Sequence, residues 1–61
     1  MEWFEELKEL RVALDLSQEE IAPRLHVTAR TWGRWEKGAV KKPKTLVLDR
    51  VREMARKARA R

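Results

Sequence analysis

The sequence predicts an all-α fold on three observations. Apolar residues recur at helical spacing near both ends of the chain, the central stretch Ser17 to Gly38 reads as two short helices joined by a tight turn, and Gly38 and Pro43 set off a last helix. Residues 2 to 14 form the first helix in this reading. Trp3, Leu7, Leu10 and Leu14 follow i, i+4, i+7, i+11 with Phe4 beside the stripe, and Glu2, Glu5, Glu6 and Glu9 suit the positive end of the helix dipole. An exposed aromatic patch for a partner is the alternative for Trp3 and Phe4, but in so small a chain a helical stripe is read as core. Asp15 tolerates the left-handed conformation and is expected to end this helix.

Ser17 followed by Glu20 is a capping box for the second helix, residues 18 to 25, which buries Ile21, Ala22 and Leu25. Pro23 in its second turn removes a backbone donor and crowds the preceding turn at up to ~3 kcal/mol, so a kinked or 3₁₀-like segment is expected. His26 falls where the chain reverses between apolar Leu25 and Val27, a position expected to need positive φ. Thr28 then supplies a hydroxyl N-cap for the third helix, residues 29 to 36. Arg30, Arg34 and Lys37 recur at i, i+4 and i+7 on one face, with Trp32 and Trp35 on the other. Stacking platforms for single-stranded nucleic acid are the alternative reading of the two tryptophans, but their spacing matches the core face. After the loop AVKKPK, a final helix over 45–59 carries Val47, Val51, Met54 and Ala58 on one stripe, widened by Leu48 and Ala55. Its basic end, Arg56 to Arg61, is expected to fray into solvent.

Sixty-one residues make one domain with one modest core and leave no room for a deep substrate cleft. No cysteine and a single histidine exclude disulfides and thiolate zinc sites, so no metal, cofactor or small-molecule substrate is expected. Short apolar runs and an acidic N-terminus predict neither a membrane span nor a signal peptide, and hence a soluble, cytoplasmic, nucleoid-associated protein. The net charge of +5 is unevenly distributed. Residues 1 to 20 hold seven acids and two bases, a net −5, whereas residues 21 to 61 hold three acids and thirteen bases, a net +10. Clustered Lys and Arg point to a polyanionic partner.

Gln18, Ile21, Ala22, Leu25 and Val27, with the closing Trp35-Glu36-Lys37-Gly38, resemble the helix-turn-helix of the phage-repressor and Cro family, and the resemblance runs from about Leu7 to about Met54. It implies a lambda-repressor-like domain of four or five helices around one core, binding operator DNA with the second motif helix in the major groove, as transcriptional repressors do. Ala29, Arg30, Gly33 and Arg34 would then face base edges. Arginine pairs with guanine O6 and N7, so guanine-containing sites are expected, while Ala29 offers only apolar contact. Many members carry glutamine at the position of Ala29, oriented by the one matching Gln18. That pair is absent here.

Gln18 and the loop lysines Lys41, Lys42 and Lys44 match positions that hold the DNA backbone, and Thr28, Thr31 and Lys37 are further candidates for backbone contact. Gly33 either admits close approach of the backbone to DNA or is simply tolerated at an exposed site. Arg11 matches an arginine that pairs with the glutamate matching Glu36, and Ala22 the small residue between the motif helices. Trp32 replaces a smaller aliphatic, which requires the core to adjust, through Ala13 or Ala22.

The sequence is compatible with a monomer or with a homodimer on DNA, since no second apolar seam is visible. Its composition also fits an engineered DNA binder. A protein-holding, antitoxin-like role is the main alternative to DNA binding, and an enzyme is the least favoured reading, because no nucleophile and base stand together in the pattern.

Overall fold

Four helices follow one another in the computed structural model, which describes residues 2–59: α1 (Trp3–Ala13), α2 (Gln18–Ile21), α3 (Ala29–Lys37) and α4 (Thr45–Arg59). No strand occurs among the described residues. Pro23 has the expected effect. The chain runs from α2 straight into a 3₁₀ segment, Ala22–Leu25, with Pro23 in its first turn, where a missing N–H costs little.

The three helix ends before α4 share one solution. Asp15 (φ 58°), His26 (φ 60°) and Gly38 (φ 68°) are the positive-φ residues among those described. At each, the following N–H reaches back five residues, from Leu16 to Arg11 O at 3.3 Å, from Val27 to Ala22 O at 3.1 Å and from Ala39 to Arg34 O at 3.1 Å. This is the closing pattern that satisfies orphan carbonyls at a helix C-terminus. The helix starts are equally defined. Glu20 N–H donates to Ser17 Oγ at 3.1 Å and Ser17 N–H to Glu20 Oε1 at 2.9 Å, while Thr31 N–H donates to Thr28 Oγ1 at 3.1 Å.

The core collects one or more residues from every helix: Leu7, Ile21, Ala22, Leu25, Trp32, Trp35, Leu48 and Val51, with Trp3, Leu10, Leu14, Leu16, Val27, Val47 and Met54 partly buried against it. The Trp32 and Trp35 rings meet edge to face with centroids 5.7 Å apart. Phe4 closes the far end: a Cβ on Gly38 would lie 2.9 Å from Phe4 Cδ1, so this glycine answers both to its backbone angle and to α1. Glu6 on α1 accepts from Arg52 on α4 at 2.7 and 2.8 Å. The Arg52 hydrogen bond holds the Glu6 carboxyl below its ordinary range against the opposing pull of burial.

Three expectations are corrected. Ala13 is exposed and gives Trp32 no room, whereas Ala22 lies fully buried in the same cluster. Ala58 is exposed, and the buried stripe of α4 runs through Leu48, Val51 and Ala55. Residues 56–59 remain helical rather than fraying, with Arg56 paired to Glu53 one turn back; Ala60 and Arg61 lie outside the described residues. Among the described residues, no helix is long and apolar enough to cross a membrane.

Candidate nucleic-acid interface

The third helix has two faces of opposite character, and the inner one fixes the outer. On the inner side Trp32 is 0% exposed and Trp35 9%. Between them and α2 stands the Glu36 carboxylate, whose side chain is only 6% exposed. It accepts from Arg11 Nε at 2.6 Å and Nη2 at 3.3 Å, from Gln18 Nε2 at 3.1 Å, and from the indole N–H of Trp32 one turn back on the same helix. Arg11 also donates through Nη1 to Leu16 O at 3.0 Å. One carboxylate thus ties α1, α2, the turn between them and α3 together.

Burial alone would raise the Glu36 pKa. The hydrogen bonds from Arg11, Trp32 and Gln18, with the charge of Arg11, outweigh it and hold the carboxyl below its ordinary value, so the group is an anion with every neighbour donating. No buried side-chain N or O lacks a partner among the described residues. A buried charge so fully hydrogen-bonded is tolerated; one stripped of its partner is not.

On the outer side Arg30, Arg34 and Lys37 are exposed, and none takes part in an ion pair among the described residues. Thr28, capping the helix, is exposed, and Thr31 is half-buried with its hydroxyl accepting from Thr28 Oγ1 at 3.1 Å. Beyond Gly38 the chain runs out as a loop in which Lys41, Lys42 and Lys44 are exposed.

Two of the four residues expected to face base edges sit differently from the arginines. Ala29 is half-buried and packs partly against the core, and Gly33 is half-buried with a Cβ position 3.5 Å from Gln18 Oε1. The outward row is therefore Arg30, Arg34 and Lys37, and Ala29 and Gly33 form a shallow flank on the side of α2. Gln18 lies across this flank, held by Glu36. Sequence reasoning did not find that link, nor the Trp32 bond to Glu36. The i, i+4 spacing of Trp32 and Glu36 was an available signal for the second.

A row of cations with no acidic partners, on a helix whose other face is locked into the core, can hold a polyanion at a fixed orientation. Among the described residues no group of three or more His, Cys, Asp or Glu side chains gathers in a way that could hold a metal ion. A family model described as a helix-turn-helix domain matches residues 5–60. No curated protein and no solved structure matches the chain.

Proposed function

Because the chain belongs to the helix-turn-helix domain family, we propose that it binds double-stranded DNA sequence-specifically, with α3 in the major groove, and regulates transcription by occupying its sites. The observation that carries this reading is the outward row of Arg30, Arg34 and Lys37 on a helix whose inner face is immobilised by Trp32, Trp35 and Glu36. A long cationic side chain discriminates between bases only when its backbone is held in register, and the buried carboxylate supplies that register.

Arg30 and Arg34 are the base-reading residues, each able to donate two parallel hydrogen bonds to guanine O6 and N7. Ala29 and Gly33 admit the groove wall closely and add apolar contact. Thr28, Thr31, Lys37, Lys41, Lys42 and Lys44 grip phosphates on either side and set position without reading sequence. Binding is driven largely by counterion release, so affinity falls steeply with salt. Repression is the regulatory outcome that a small domain achieves by occupancy alone. A homodimer on a two-fold site is compatible with this reading, as is a monomer on a short asymmetric one.

The test is selection of bound duplexes from a random library at moderate salt. An enriched guanine-containing motif is the expected result, and a palindrome with half-sites one turn apart would add a dimer. Retention of DNA without any enriched motif would reduce the activity to charge-driven adhesion and remove the base-reading assignment.

A further inference from the structure

We propose that Gln18, on α2, is itself a base-reading residue, and that it selects adenine beside the guanine contacts of α3. The inference rests on the DNA-binding reading above and changes the role given to this side chain, which the family resemblance assigns to the DNA backbone.

Its basis is the state in which Glu36 leaves the carboxamide. A carboxylate only accepts, so the group facing Glu36 must be Nε2, at 3.1 Å, and the amide cannot be flipped. Nε2 carries two hydrogens, of which one is engaged. Oε1 makes no hydrogen bond among the described residues and points toward Gly33, 3.5 Å from where a Cβ would stand. Gln18 is not an exposed residue, yet its unbonded Oε1 is not among buried unpaired atoms, so that oxygen reaches solvent.

The anchored amide thus keeps a free acceptor, Oε1, and one N–H not given to Glu36, over a flank kept low by Gly33 and next to the row Arg30, Arg34, Lys37. In the major groove, adenine presents the complementary pair, an acceptor at N7 and a donor at N6. A phosphate, with acceptors alone, can take only the N–H and leaves Oε1 unpaired; guanine, with two acceptors, does the same. The geometry therefore favours a base, and adenine among the bases. The glutamine absent at position 29 of the recognition helix is replaced in function by one reaching over from α2.

The experiment uses the full chain and the duplex obtained by library selection. Selection is repeated with Gln18→Met, which keeps the side chain's length and removes both polar groups. In parallel, wild-type protein is titrated against the selected duplex with each adenine in turn replaced by 7-deazaadenine, a readout that does not depend on the variant folding. The expected result is one adenine position whose preference over other bases, about 5- to 150-fold for a good bidentate contact, collapses in Gln18→Met while the guanine positions persist. The same adenine should be the one whose 7-deaza replacement weakens wild-type binding. A motif unchanged in Gln18→Met, or affinity lost equally on all sequences with no 7-deaza effect, overturns the inference and leaves the DNA-binding reading intact. Failure of the wild-type chain to enrich any motif overturns both.

Discussion

The two faces of α3 differ in one respect that organises the molecule: on the inner face every polar group has found a partner within the chain, and on the outer face the cations have found none. Glu36 receives Arg11, Gln18 and Trp32, and Trp32 and Trp35 are sealed by the core. Arg30, Arg34 and Lys37, on the same nine-residue helix, stand in solvent without ion pairs among the described residues. The other exposed arginines are divided: Arg52 pairs with Glu6 and Arg56 with Glu53, whereas Arg24, Arg50 and Arg59 form no ion pair among the described residues. What sets α3 apart is that its three unpaired cations form one row on a helix whose opposite face is fully engaged. If the outer face binds DNA as proposed while the inner one holds the fold, substitutions on the two faces should separate binding from stability.

The largest effect is expected on the inner face. Truncating a buried Trp costs ~3–5 kcal/mol, and a domain of this size has little more in reserve. Trp35→Ala should therefore abolish the cooperative melt followed by circular dichroism. A variant that melted near the wild-type temperature would place Trp35 outside the core.

Next in size is the Glu36 centre. Arg11→Met leaves a buried anion short of its charged partner and should cost about 3 kcal/mol, read by urea denaturation. The centre also carries a pH signature. The Glu36 pKa is lower in the folded chain than its ordinary value of 4.5, so the unfolded state binds protons first as acid is added. Its contribution is fully present above pH 4.5 and is lost as pH falls through the lower, folded value. Glu36→Gln should flatten part of this acid loss; Glu6 and Glu53, lowered by their arginine bonds, and Glu20, lowered by its hydrogen bonds with Ser17, also contribute. An unchanged acid limb in Glu36→Gln would detach the centre from the stability of the fold.

The smallest effect sharpens the boundary between the faces. Gly33 has ordinary helical geometry, and a Cβ there would meet Gln18 Oε1 at 3.5 Å, a normal contact. Gly33→Ala should then stabilise the free domain by up to about 1 kcal/mol while weakening the duplex complex, since the flank it raises is the one facing DNA. A gain in melting temperature with unchanged affinity would make this glycine a tolerated residue only.

Much of this was legible in the sequence, because it depends on local chemistry. Pro23 in a second turn disrupts the regular helix locally, Ser17 and Thr28 carry cap hydroxyls, and Asp15, His26 and Gly38 are among the few residue types that accept a positive φ. The bounds of α4 followed from Pro43 and the stripe of apolar residues. What was not legible depends on neighbours far along the chain. Ala58 shares a stripe with Val51 and Met54, but periodicity gives an arc of the helix and not the edge of its partner, and Ala58 falls beyond that edge. The same holds for Ala13. Gln18 reads from the sequence only as a contact to the DNA backbone; its bond to Glu36, eighteen residues away, arises when the packing of α2 on α3 brings the two within 3.1 Å.

In the proposed binding mode Arg30 and Arg34 read bases, while Lys37 and the lysines of the following loop hold phosphates. It is tested most directly by comparing Arg34→Ala and Lys42→Ala on the selected duplex and on random duplex across a salt series. Arg34→Ala should lose ~1–3 kcal/mol on the selected duplex and little more than one charge's worth on random DNA. Lys42→Ala should weaken both alike and lower the salt slope by about one. Equal, sequence-independent losses for the two variants would contradict the claim and leave α3 as one more patch of positive charge.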